Sequence, residues 1–402
     1  MVREDSGAGS LSRRHQGGYI VTTQVQPNAR SIKEYFAELP DPRSSINRLH
    51  LLVDVVVMSL CGVLAGADGP EAIEEWAVAQ EEWLRQHLEL PNGIPSHDTF
   101  GRFLERVDPQ AFQRCFAAWI ESLSTATADG VRLLAVDGKT LRRSHDRQHR
   151  LGPLHLVSVW ASEQGLTLAQ IATEEKSNEI TAIPLVLELV DLKGAVVTID
   201  AMGCQKAIAQ KIIDRGGDYV LPVKGNQDHL QQAVEAFFDE HLEDDFARVK
   251  VSRVETEEQG HGRLERRTYL QVNVPKTLAS REDWAGLRTL GLVIRTRETG
   301  GKETGEVQCY ISSLKRNAKL FARAVRSHWS IENTCHWTLD MTFREDDSRV
   351  RERRLTESLA WLRRFALGLL KQHPAKKSLA MKRRIAGWNA DFLSQVLFNK
   401  TS

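Results

Sequence analysis

The reading of this chain turns on two short stretches, LLAVDGK at Leu133–Lys139 and AVVTIDA at Ala195–Ala201. The runs Leu133–Val136 and Val196–Ile199 lack the in-out alternation of a half-exposed strand, which is the pattern of a central strand covered on both faces. Each run ends in an aspartate, Asp137 and Asp200. Alone, an aspartate after a strand is ordinary turn chemistry. The order of elements around these two gives them weight.

Outward from Asp137, apolar runs at Arg132–Val136, Leu154–Ala161 and Leu166–Thr173 read as strands. A helix follows at Thr181–Val190, then a strand at Ala195–Ile199, a helix at Gln205–Arg215 and a strand at Tyr219–Val223. Three strands, then helix, strand, helix, strand is the order of a ribonuclease-H-like α/β core. There the strands ending in Asp137 and Asp200 are parallel neighbours, and open α/β sheets place their ligands at the carboxyl ends of the strands. The two aspartates are therefore expected side by side.

Between Asn226 and Ser313 the pattern turns β-like again, at Thr268–Val274, Leu290–Thr296 and Gln308–Ser312. The expectation is a mostly β subdomain inserted at about 228–313 into a catalytic domain spanning 129–372. Upstream, His50–Ala65 is apolar nearly all round and reads as a buried helix. With Glu71–Leu88, Asp98–Val107 capped by Ser96, and Pro109–Leu123, it makes an all-helical DNA-binding domain at 31–128. Residues 1–30 read as a disordered leader, Ser124–Gly130 as a linker and 373–402 as a basic helical tail.

A third carboxylate comes from Asn317–Phe343, read as one long helix. At 100° per residue Phe321, Val325, His328, Glu332, Cys335, Leu339 and Phe343 fall along one line, with Glu332 central in the apolar stripe. A carboxylate facing a core costs several kcal/mol unless it is paired, protonated or bound to a cation. An ordinary buried ion pair is the competing explanation, and the two strand-end aspartates weigh against it. Asp346 would return to the same face, but fourteen residues of helix put it about 21 Å along the axis from Glu332. Three hard-oxygen carboxylates suit two Mg²⁺ or Mn²⁺ ions about 3.5–4 Å apart, the arrangement for phosphoryl transfer on a polynucleotide.

The chain has 402 residues, 41% of them apolar, enough for two or three cored domains, and a formal charge of +1. That near-neutral sum conceals opposed blocks: Arg349–Trp388 holds twelve Lys/Arg against two Glu, and Asp68–Glu89 seven acids against Arg85. The basic tail beyond Arg349 is expected to add to DNA affinity. Five scattered cysteines show no paired zinc-type spacing and read as reduced thiols. No uncharged apolar run reaches about 18 residues and no signal core opens the chain, so a cytoplasmic protein without a membrane part is expected.

With these residues in hand, the sequence resembles the ISAs group of insertion-sequence transposases, which include the H-repeat-associated proteins, within the DDE superfamily. The resemblance runs from about Tyr35 to Leu397. It rests on blocks such as NGIPSHDTFGR at Asn92–Arg102, VDGKTLRRS at Val136–Ser144, EKSNEITAIP at Glu175–Pro184, TIDAMGCQ at Thr198–Gln205 and HWSIENTCHWTLDMTFRED at His328–Asp346. It implies cutting and joining of DNA at the ends of a mobile element, with Asp137, Asp200 and Glu332 as the metal-binding triad. More distant relatives carry a Tyr-Arg-Glu-Lys signature around the glutamate. Here those spacings hold Val325, His328 and Leu339, so His328, Arg326 or Arg344 would have to grip phosphate.

Further DNA contacts are expected from Lys139 and Arg142 after the first catalytic strand, from Lys224 and Asn226 after the last, and from Arg263 in the insertion. Trp329, beside the glutamate, could stack on an unpaired base; packing is its ordinary use. Asn178 and Glu179 stand at a strand-to-helix turn, where capping competes with a role in the site. Pro95–Val107, with Arg102 and Arg106 on one side, has the pattern of a recognition helix. The partners expected are terminal-repeat DNA, target DNA and a second copy of the chain, since joining two ends requires two sites. Two other readings stand beside this one. A decayed or repurposed copy would bind DNA without cutting, and the intact triad speaks against it. A metal-dependent RNA hydrolase would need neither the long insertion nor the helical domain.

Overall fold

A computed structural model describes residues 32–123, 130–146, 151–173, 179–260 and 262–398. The expected leader, most of the linker, Asn178 and His261 lie outside them. Strands β1 (Arg132–Thr140), β2 (His155–Ala161) and β3 (Leu166–Thr173) form an antiparallel meander. On the other side of β1, β4 (Ala195–Ile199) and β5 (Asp218–Val223) add in parallel. A parallel neighbour cannot be reached by a tight turn, and helices α7 (Glu179–Glu188) and α8 (Lys206–Asp214) make the crossings. Every residue of β4 is buried, as its unbroken apolar run requires.

The β-rich segment that follows β5 extends the core sheet and does not form a sheet of its own. After helix α9 (Asp228–Leu242), strands β6 (Val251–Gly260), β7 (Arg263–Asn273), β8 (Thr289–Thr299) and β9 (Lys302–Ser312) continue the core sheet. Its order is β3-β2-β1-β4-β5-β9-β8-β7-β6. The join is β9 against β5, antiparallel, from Val220 opposite Ser312 to Val223 opposite Cys309. Without β9 the β5 edge would leave a row of backbone groups unpaired.

The N-terminal helices are α1 (Ile32–Phe36), α2 (Leu52–Ala65), α3 (Pro70–Ala79), α4 (Glu81–Leu84), α5 (His97–Arg106) and α6 (Pro109–Leu123). The stretch expected as one helix from Glu71 breaks at Gln80. Ser96 makes no side-chain cap to α5; Glu74 Oε2 instead accepts from the His97 N–H at 2.7 Å. Across the sheet runs α10 (Ala318–Ser330), opened by Asn317, whose side chain accepts from the N–H groups of Lys319 and Leu320. It continues as a π-helical turn, Ile331–His336, and then α11 (Trp337–Met341).

Helix α12 (Arg353–Gln372) packs on α2, α5 and α6 and also on β3, and one continuous apolar core joins the N-terminal helices to the sheet. Helices α13 (Leu379–Trp388) and α14 (Ala390–Phe398) close the chain. Two cations of the expected basic tail are turned inward. Lys382 Nζ donates to the carbonyls of Leu370 and His373, and the Arg383 guanidinium to those of Val63 and Thr342. Among the described residues no single helix is long and apolar enough to cross a membrane.

Candidate active site

Strands β1 and β4 run in register, Val136 opposite Ile199, so the next residues, Asp137 and Asp200, stand side by side; β4 ends at Ile199, whereas β1 runs on through Asp137 to Thr140, paired with β2. Both carboxylates are held by the amide of a nearby glycine. Asp137 Oδ1 accepts from Gly138 N–H at 2.9 Å, and Asp200 Oδ1 from Gly203 N–H at 3.0 Å. Neither glycine has room for a side chain. A Cβ at 138 would stand 2.5 Å from His155 Nε2, and one at 203 would stand 2.2 Å from the Ile199 side chain.

Glu332 is on the same side but not where the helical wheel puts it: it is exposed, and Ile331 takes the buried position. The wheel assumes α-helical turns throughout. The π-helical turn begins at Ile331, and its wider hydrogen-bonding changes the phase of the face. Glu332 therefore needs no buried partner. Its charge still reaches Asp137. Burial, reinforced by the negative fields of Glu332, Glu179 and Asp200, pushes the Asp137 carboxyl up to about 7 despite the Gly138 N–H. Asp346, the rival on periodicity, stands 3.2 Å from Arg142 and 3.5 Å from Lys139.

Asp200 and Glu332 line a cavity of about 880 Å³ that is also lined by side chains of β7, β8 and β9. Lys224, Arg263, Arg326, His328 and Trp329, all expected near DNA, line it too. Trp329 is 51% exposed. Arg326 is paired with Glu258 at 2.6 Å. His328 cannot grip phosphate as a cation, because burial holds its imidazole down to about 4. Four expected contacts are otherwise engaged. Lys139 is buried, its Nζ 2.7 and 2.8 Å from the two Asp340 oxygens, so it cannot serve phosphate as it stands. Arg142 pairs with Asp346 at the surface. Asn226 donates to the Ala201 carbonyl at 2.7 Å and so ties the β5 loop to the loop after Asp200. Arg344, with its backbone left-handed at φ 54°, pairs with Asp347 at 3.0 Å.

Two groups, Glu179 apart, were not among the expected site residues. Arg267, Arg295 and Arg297 share the cavity wall with Arg263 around the buried Glu265, and Arg267 and Arg295 both pair with that carboxylate. Their signal was present, since Arg263 and Arg267, like Arg295 and Arg297, stand an even number of residues apart on one strand and so face the same side. The second group surrounds Asp137. His336 Nδ1 lies 3.4 Å from Asp137 Oδ2, with burial and the charges of Arg364 and Lys139 holding that imidazole well below its usual range. Beyond Gly138, His155 Nε2 lies 3.3 Å from Glu179 Oε2. No local pattern joins these residues; the sheet does.

In kind, the carboxylates fit a hard divalent cation: their oxygens are the donors Mg²⁺ and Mn²⁺ prefer, and a cation would relieve the repulsion that raises Asp137. Among the described residues, however, no three His, Cys, Asp or Glu side chains converge as a finished ligand set.

Residues 129–369 match the family described as Transposase DDE domain, and residues 33–120 match the DDE_Tnp_1-associated family. The chain belongs to the DDE-domain transposase family. Among its relatives is YncI of Escherichia coli O157:H7, named as a transposase, 39% identical over 92% of this chain and 94% of that one. YhhI of Escherichia coli K12, whose name marks it as H repeat-associated, is 36% identical over 92% of this chain and 98% of its own. A piggyBac transposase, solved as a synaptic complex with hairpin DNA, aligns over 92% of this chain and 78% of its own, at 10% identity and a TM-score of 0.38.

Proposed function

We propose that this protein cuts and joins DNA strands at the ends of an insertion sequence, using divalent cations held by Asp137, Asp200 and Glu332 on a ribonuclease-H-like core. The observation that carries the reading is the parallel register of β1 and β4, which brings Asp137 beside Asp200, with Glu332 on the wall of the cavity that Asp200 lines. The order β3-β2-β1-β4-β5 supports the core assignment. When bound, the metal ions would activate the attacking oxygen and stabilise the leaving one.

The chain's own groups provide the rest. Lys224 and the arginines of the β7–β8 face put positive charge along the cavity that Asp200 and Glu332 also line, where a phosphodiester backbone would be drawn in and aligned. Trp329, half exposed at the rim, offers a stacking surface to a base next to the cut. Two copies acting on two element ends in the cytoplasm complete the proposal.

The test is incubation of the protein with element-end DNA and Mg²⁺, scoring nicks at nucleotide resolution. Asp137→Asn, Asp200→Asn and Glu332→Gln should each lose cleavage and joining by at least about a hundredfold, with DNA affinity within about threefold, because phosphate contacts supply affinity and carboxylates hold metal. Strand transfer at wild-type rate by any of the three removes that residue from the triad.

A further inference from the structure

Glu179 opens α7 and His155 opens β2, and both are buried, 4% and 1% exposed. A buried carboxylate is costly unless it is engaged, and this one faces His155 at 3.3 Å. The other ring nitrogen, His155 Nδ1, shares a hydrogen bond with Thr140 Oγ1 at 2.9 Å, which fixes the ring on β1, while Nε2 faces Glu179 of α7 without a hydrogen bond. The pair does more than fasten a helix to a sheet. It presses on the backbone directly after Asp137. A Cβ on Gly138 would meet His155 Nε2 at 2.5 Å and Glu179 Oε1 at 2.8 Å, while the Gly138 N–H is the donor that holds Asp137 Oδ1.

We propose that Glu179, clamped with His155 against Gly138, is a positioning residue for Asp137 that fixes the aspartate's orientation toward a bound divalent cation. The inference rests on the metal-centre reading above and deepens it. Removing the clamp frees Gly138, and with it the amide that orients Asp137. The carboxylate must then be ordered when the cation binds, which lowers affinity; outer-shell partners of this kind commonly change metal affinity by about 10–100-fold.

The experiment uses the full chain and Mn²⁺ alone, following the rise in melting temperature as Mn²⁺ is added. The wild type should respond saturably and Asp137→Asn should not. Glu179→Gln should need about tenfold more Mn²⁺ for half the response, with Glu179→Asp recovering part of the loss. Wild-type Mn²⁺ dependence in folded Glu179→Gln overturns the proposal, even if the metal-free protein melts lower, since the pair would then be only a structural fastening. Should Glu179→Gln fail to fold, Glu179→Asp decides by the same comparison. A wild type without any Mn²⁺ response overturns the metal-centre reading and this inference with it, whereas a normal wild-type response beside an unchanged variant overturns this inference alone.

Discussion

Gly138 is small because two buried side chains stand where its Cβ would be, and this makes it a sensitive position in the site. Gly138→Ala should lower the unfolding free energy by about 1–3 kcal/mol, the cost of forcing a methyl into filled space, measurable as a shifted urea midpoint. An unshifted midpoint would mean that His155 and Glu179 move aside freely. A second residue-scale effect lies far from the site. Burial, with Asp108 nearby and Arg354 opposing, pushes the Glu357 carboxyl from its ordinary 4.5 up to about 7. With the folded pKa above the unfolded one, the folded state binds more protons, so stability is highest below about 4.5 and falls as pH rises to 7. Glu357→Gln removes that titration. It should be more stable than the wild type by on the order of 2 kcal/mol at pH 8 and not at pH 4, read from denaturant midpoints.

The decisive element is the helix carrying Glu332, and its decisive feature is the π-helical turn Ile331–His336. A continuous α-helix would bury Glu332 among Val325, Cys335 and Leu339; the wider turn lets Ile331 fill the core while Glu332 faces the cavity. Deleting Thr334 removes the extra residue of the turn and should return the segment to α-helical phase. We expect a folded protein with unchanged far-ultraviolet circular dichroism and strand cleavage reduced by more than about a hundredfold, as for loss of a metal ligand. Cleavage at the wild-type rate would show that the turn does not set the position of the carboxylate.

At the scale of the whole molecule, α12 couples the helical N-terminal region to the sheet, and a buried charge pair ties it to the turn that follows α11. Arg364 and Glu345 form an ion pair with both side chains fully buried, 2.9 Å apart. Arg364→Ala leaves Glu345 buried without its partner and should cost about 3–5 kcal/mol. The cation balance also predicts which residues meet DNA. Neutralising Lys382 and Arg383 should lower the melting temperature, because their donors satisfy buried carbonyls, and should leave the slope of log affinity against log salt unchanged. Neutralising Lys224 and Arg263 on the cavity wall should flatten that slope by about 1 to 2. A flattened slope from the tail variants instead would place DNA on α13.

The local pattern of the chain was enough for the two strands that lead into the aspartates, though β1 runs on through Asp137 to Thr140, for their order among helices, and for the helix that bears the glutamate. Apolar runs and turns are short-range signals, and their meaning survives any packing of the elements. It was not enough for the phase of Glu332, since a wheel drawn at a constant angle cannot register a π-helical turn, nor for the fate of Lys139, whose partner Asp340 is two hundred residues away. Nor could composition tell Lys382 and Arg383 from the other cations of the basic tail, since a cation donating to buried carbonyls and a cation waiting for phosphate look identical in sequence. Glu179 and His155 meet beside Gly138 only because α7 packs on the antiparallel β2–β3 pair. Distances between residues remote in sequence are set by sheet register and helix packing, and those the tertiary structure alone decides.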